Sequence, residues 1–186
     1  MIKEILAQIF SGIALAFVVT SYFTNKKYYL LFQSLCIIGL VLSYFLRSEF
    51  FAMVGLFIGL FRALTFFFYE KKGKDAPLFL SFIFAGLTLA SYFILNLCIL
   101  KTARPLDILY LTSLVFYTFT FRIRNLTIMR YLLILPLLTS VLFGVFSNVT
   151  TFVLLTYVFE LVADLVAIGK ALVISKLQKT KEKNEI

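Results

Sequence analysis

Long apolar runs broken by short basic clusters set the pattern of this chain. Read as spans of about 20 residues, the runs predict seven helices at roughly 5–23, 29–46, 50–69, 77–99, 106–121, 129–146 and 149–173. The interruptions are brief: Lys26-Lys27, Arg47-Ser48-Glu49, Lys71-Lys72-Gly73-Lys74-Asp75, Lys101-Thr102-Ala103-Arg104, Arg122-Ile123-Arg124-Asn125 and Ser147-Asn148. The apolar residues form continuous runs rather than one-sided stripes, which points to helices surrounded by lipid. Pro77 and Pro105 open spans four and five, where a missing N–H costs nothing. Pro136 falls inside span six and predicts a kink.

Spans one to three and five to seven share a layout. In each triplet the first span ends in a basic loop, and the second joins the third through a very short turn on the other side. An offset of about 100 residues superimposes these turns, and span four returns the chain so that both triplets point the same way. The expected fold is all-α and polytopic, with two parallel three-helix triplets joined by a linker helix, a pattern known in transporters. Its divisions are 1–75, the linker 76–104, the second triplet 105–175 and a charged tail, 176–186, which lacks apolar periodicity and is expected to fray or lie on headgroups.

Composition agrees: 62% of residues are hydrophobic and 15% charged, well below the charge content of a soluble domain. The net charge of +9 suggests nucleic acid at first sight. The basic residues sit between apolar runs, however, so nucleic acid is not an expected partner and they report topology instead. One side collects Lys26, Lys27, Lys71, Lys72, Lys74, Arg122, Arg124, Arg130 and tail residues Lys176, Lys179, Lys181 and Lys183; the other holds Lys3, Arg47, Lys101 and Arg104. Twelve against four places the N-terminus outside and the C-terminus in the cytoplasm, across a bacterial inner membrane. The first run is long enough to span and is read as a retained helix rather than a cleaved signal. Asn125-Leu126-Thr127 and Asn148-Val149-Thr150 match the glycosylation triplet by chance.

No His is present, so the commonest general base and metal ligand is missing. Neither a nucleophile–base pair nor a phosphate loop is visible, and the expectation is no enzyme, no cofactor and no metal. Cys36 and Cys98 lie in apolar segments at different depths and are expected to stay unpaired. With no Trp, the interfacial belt falls to Tyr and Phe.

The informative residues are charges inside the runs. Arg62 lies in the middle of span three, where a guanidinium costs about 2.5–3.5 kcal/mol even on lenient insertion scales. Glu160 and Asp164, one turn apart, share a face of span seven. Thr156, Tyr157, Ala163, Ala167 and Ala171 fall near that face, which predicts a polar, small-residue stripe turned toward the protein. Gly55, Gly59 and Ala63 form a close-packing ladder on the Arg62 side of span three. Arg62 and Glu160 each lie about eleven or twelve residues from the outer end of their spans. They are therefore expected to pair near the midplane, with Asp164 as second acceptor. Lys170 is expected to snorkel.

Gln8 and Gln33 are costly to bury and are expected to line a cavity; Thr88, Ser91 and Asn96 are expected to decorate span four, and Gly86 with Ala90 to form a packing seam. Two functions fit. One is a small-solute carrier or channel whose substrate-binding residues are Arg62, Glu160, Asp164, Gln8, Gln33 and Tyr157, acting on a small polar or anionic solute. The other is a non-transporting scaffold in which the ion pair only locks helices in register. The expected partners are the lipid bilayer, the solute and, as an open alternative, further copies of the chain in a homo-oligomer.

Gln8 with Gly12, Ser21-Tyr22-Phe23 before Asn25-Lys26-Lys27, Gln33, a short turn before Phe51-Ala52, and Arg62 together resemble the YgjV family of small bacterial inner-membrane proteins. The chain departs from it at Gly59, where relatives tend to have Asn, and at Tyr44, where His is frequent. The resemblance implies a multi-pass inner-membrane protein with a carboxylate in its last span, a role open to Glu160 or Asp164. The three-one-three layout is also similar, more distantly, to SWEET and PQ-loop transporters.

Overall fold

The computed structural model describes the backbone of residues 2–100, 104–147 and 149–184, and their side chains as far as Val173 with Leu97 excepted. Loop positions 101–103, turn position 148 and tail positions 185–186 lie outside the described residues, as do the tail side chains. All described elements are helical: α1 (Ile2–Ser21), α2 (Lys26–Leu46), α3 (Phe50–Lys71), α4 (Leu78–Tyr92), continued by a π-helical segment (Phe93–Ile99), α5 (Asp107–Thr120), α6 (Leu126–Phe146) and α7 (Thr151–Asn184).

Polarity is inverted relative to a soluble protein. Ile5, Ile9 and Ile13 on α1, Phe57, Phe61 and Phe68 on α3, and Phe79 and Phe82 on α4 are exposed. Arg62, Gln33, Glu160 and Asp164 are buried. Among the described residues, six helices are long and apolar enough to cross a membrane. Together these make the chain a multi-pass integral membrane protein.

The exception in length is α5, expected over 106–121 but only 14 residues long, about 21 Å. It packs on α3, α4 and α6, so little of it has to match the thickness of the hydrocarbon. The tail also differs from expectation, continuing α7 as helix through Asn184. Its Lys, Gln and Glu residues are good helix formers, and no Gly or Pro interrupts them.

Asparagine caps set two of the starts. Asn25 Oδ1 accepts from the Tyr28 N–H at 3.3 Å, and Asn125 Oδ1 accepts from Thr127 and Ile128 at 3.0 and 3.2 Å, satisfying amides that would otherwise be orphaned. The helices they open, α2 and α6, are both 21 residues long. Between α2 and α3 the chain turns through Ser48, held at φ 60°. Pro136 does not interrupt α6, and its carbonyl accepts from the Ser113 hydroxyl at 2.9 Å.

Each helix packs against its neighbours in sequence, α1 closes against α7, and α3 touches α5. The result is a ring flanked by α4. Backbone approaches backbone closely where α1 meets α2: a Cβ on Gly39 would sit 2.8 Å from the Phe10 carbonyl oxygen and 3.0 Å from Ala14 Cβ. Gly39→Leu is therefore expected to destabilise by more than about 3 kcal/mol, with Gly39→Ala intermediate. Denaturant titration followed by circular dichroism in mild detergent checks the order. On α4 the buried positions are Ser81, Ala85, Thr88 and Tyr92. The expected Gly86–Ala90 seam is absent, since both residues are exposed and a Cβ on Gly86 would meet nothing within 4 Å.

Candidate functional site

Glu160 sits on the inner face of α7, 6% exposed, where the apolar face of the same helix faces lipid. Its carboxylate is held by two side chains from other helices. Gln33 of α2 donates from Nε2 to Oε1 at 2.6 Å, and Tyr117 of α5 donates from its hydroxyl to Oε2 at 3.4 Å. Gln33 Nε2 also lies 3.3 Å from the Tyr29 hydroxyl, and the Tyr22 hydroxyl donates to the Glu160 carbonyl at 3.1 Å. The carboxylate thus ties α7 to α2 and α5 through neutral donors, and among the described residues it has no basic partner within ion-pair distance.

Arg62, 4% exposed, takes a different route from the one expected. Its Nη1 donates to the Leu114 carbonyl at 3.0 Å and to Thr118 Oγ1 at 2.8 Å, both on α5. The guanidinium lies over the rings of Phe121 and Tyr117, with Cζ 5.2 and 5.9 Å from their centroids. The expected Arg62–Glu160 ion pair does not form. The reason is lateral placement: α3 packs on α2, α4 and α5, whereas α7 packs on α6 and α1. Equal depth did not make the residues neighbours, and Tyr117 bridges them, with its ring under the arginine and its hydroxyl on the acid. Gly59 provides space, since a Cβ there would lie 3.4 Å from Arg62 Nη2.

Asp164, fully buried, is not Arg62's second acceptor either. Arg130 of α6 takes that place, its Nε 3.5 Å from Asp164 Oδ1 and its Cζ 5.2 Å from the Tyr22 ring centroid. Neither carboxylate oxygen nor Arg130 Nε has a hydrogen-bond partner within ordinary distance. The charge pattern of the sequence places Arg130 among the loop cations, whereas it lies inside α6. The Asn125 cap was the available signal, because it sets Arg130 a full turn inside the helix, about 6 Å deep.

A cavity of about 40 Å³ occupies the centre of the ring, room for a small cluster of waters. Arg62 and Glu160 both line it from different helices, together with Gln33, Tyr117, Tyr157 and Cys36. Tyr157 exchanges a hydrogen bond with Tyr44 at 3.1 Å between hydroxyls. Tyr110, also on the wall, has a buried hydroxyl with no hydrogen-bond partner. Of the six residues expected to bind a solute, the cavity brings together Arg62, Glu160, Gln33 and Tyr157. Asp164 lies outside its lining, and so does Gln8, whose Oε1 is buried on α1 without a partner. Tyr117 and Thr118 were not foreseen, because isolated Tyr and Thr in an apolar run carry no periodic signal.

The remaining charges sit at the two ends. Lys26 pairs with Glu70 at 3.6 Å and donates to the Ile123 carbonyl, and Arg124 lies 3.6 Å from Asp75. At the opposite end Arg47 pairs with Glu4 at 2.8 Å, and Arg104 with Glu49 and Asp107 at 3.0 and 3.1 Å. Burial works against the Arg104 charge, but hydrogen bonds to Glu49 and Asp107 and their charges outweigh it and hold the guanidinium above its ordinary value. Asn96, carried by the π-helical segment, donates to Asp107 at 3.1 Å, whereas Thr88 and Ser91 bond back to their own helix. Among the described residues no group of three potential metal ligands occurs.

No protein-family model matches the chain, and neither a curated protein nor a solved structure matches it.

Proposed function

We propose that this membrane protein is a carrier for a small polar solute, with the central cavity as its binding site in an occluded state. The observation that carries this reading is that buried Arg62 and buried Glu160 face one cavity, each held by neutral partners rather than by the other. Hydrocarbon penalises unpaired charge heavily, and a scaffold would gain by bringing the two together. Opposed charges across a small space are complementary to a zwitterion of a few heavy atoms, cationic end toward Glu160 and anionic end toward Arg62. A larger solute requires the ring to open, as alternating access does.

The three-one-three layout belongs to the same proposal. Helices α2 and α6 have equal length, each opens on an Asn cap, and their starts at Lys26 and Leu126 are 100 residues apart. The α1–α7 and α3–α5 contacts exchange under a two-fold axis through the cavity. The likeness to SWEET-type transporters and to the YgjV family rests on this layout and on the first-half residues. We place the basic end in the cytoplasm of a bacterial inner membrane on the charge bias alone. The scaffold reading has one specific observation in its favour, the two hydrogen bonds that tie Arg62 to α5.

Cys36 lines the cavity and is buried, while Cys98 is exposed, which makes a direct test. In a Cys98→Ser variant reconstituted in vesicles, a charged methanethiosulfonate reagent is expected to modify Cys36 as the cavity opens to water. Glycine or alanine at millimolar concentration is expected to slow that reaction. A Cys36 that stays unreactive in the folded protein while a thiol placed in a loop reacts sinks the carrier reading and leaves the scaffold.

A further inference from the structure

We propose that a groove at the basic end binds one anionic phospholipid, its phosphate at Lys170 and Arg130 and an acyl chain along α7. The groove, about 480 Å³, lies where the end of α1 meets α7 and α6, and its lining includes Tyr22, Phe23, Arg130, Ala167 and Lys170. This is the size of a real ligand site rather than a packing defect. Arg130 Nε is buried there without a hydrogen bond. Asp164 offsets much of the Arg130 charge, so Lys170, exposed and without an ion pair among the described residues, carries the net positive charge. Phe23, 86% exposed, forms an apolar wall.

The order of chemistry along the groove matches a phospholipid. Lys170 lies 19 residues beyond Thr151, about 29 Å along the helix, at the rim of a ~30 Å hydrocarbon layer. Arg130 lies a turn deeper, at the glycerol level, and Ala163, Ala167 and Val166 lie beside the chain region. The small residues of α7 were expected to face protein. Ala163, Ala167 and Ala171 are instead only half-buried, and no other helix fills the space they leave. Basic pockets of this kind at the cytoplasmic side of membrane helices suit anionic headgroups. A free anion has no use for the apolar wall, and a second copy of the chain would present its own basic end to this one.

Thermal unfolding by circular dichroism in vesicles tests the site. Phosphatidylglycerol at 20% in phosphatidylcholine is expected to raise the midpoint by roughly 5 °C or more over phosphatidylcholine alone. Lys170→Glu and Ala167→Phe are expected to remove most of that gain, while Lys27→Glu, a cation outside the groove, keeps it. If Ala167→Phe fails to fold, Lys170→Glu against Lys27→Glu decides. An equal loss from Lys27→Glu means general surface charge and overturns the proposal, as does an unchanged gain in Lys170→Glu. The same shift from inorganic phosphate in detergent overturns the lipid as source. A change in oligomeric mass in Ala167→Phe with the lipid gain intact gives the groove to a second copy and overturns it too.

Discussion

Arg130→Leu is expected to cost about 3–5 kcal/mol of unfolding free energy, and most of that loss is expected to return in the Arg130→Leu, Asp164→Leu double variant. The single substitution leaves a fully buried carboxylate whose oxygens already lack hydrogen bonds and which has no second cation in ion-pair distance among the described residues. The double variant removes both charges from a place where neither is hydrogen-bonded, and apolar residues of similar volume are as good there or better. Denaturant titrations of the four proteins in one detergent give the coupling energy directly. A single variant as stable as the parent would mean that water already reaches Asp164.

That pairing shows where sequence reasoning held and where it stopped. Hydropathy places six long helices, because lipid forces each span to be apolar over its full length. It also locates the shorter α5 to within a residue at each end, where tertiary cover relaxes the need for a full-length span. Charge inside a span marks Arg62, Glu160 and Asp164 correctly as buried, since lipid-facing charge is untenable. Partner choice was beyond it. Depth can be counted at 1.5 Å per residue, but position around a ring depends on helix order, which hydropathy does not encode. Arg62 and Glu160 match in depth and face the same cavity from helices that are not ring neighbours. Arg130 was hidden by its proximity to loop cations, although its cap fixes it inside the helix. Neutral donors such as Tyr117 and Gln33 complete the site, and only Gln33 stands out in an apolar run.

The charge arrangement is uneven on a scaffold whose helix spacing is regular. Counting from the starts of α3 and α7, Glu160 corresponds to Gly59, and Arg62 to Ala163. On the proposed three-one-three layout each half supplies one charge, and the matching position in the other half carries a small residue. At Gly59 the absence of a side chain leaves room for the arginine head. On the proposed carrier reading, this makes one two-charged site from two half-sites, and both charges are needed to recognise a zwitterion.

Arg62→Met separates the two readings by flux, and it is expected to cost between nothing and about 3 kcal/mol of stability. Arg62 has no carboxylate partner, so its removal strands no charge. The two hydrogen bonds it loses, worth about 1.5–3 kcal/mol each for a charged donor, are set against the roughly 2.5–3.5 kcal/mol that a guanidinium costs at this depth. The acceptors do not go empty, because Thr118 Oγ1 already donates to the Leu114 carbonyl at 2.9 Å. Methionine also fills the vacated space adaptably. Uptake of radiolabelled glycine, alanine or glycine betaine by reconstituted vesicles is expected to fall at least about 10-fold, the loss of one charge-assisted contact. Glu160→Gln, which keeps an acceptor for Gln33, is expected to fall comparably while folding normally. The scaffold reading requires a protein that has no flux to lose, whatever the stability of the variant. A variant that unfolds readily, alongside a parent whose vesicles take up none of the three probes, would assign Arg62 to holding α3 against α5.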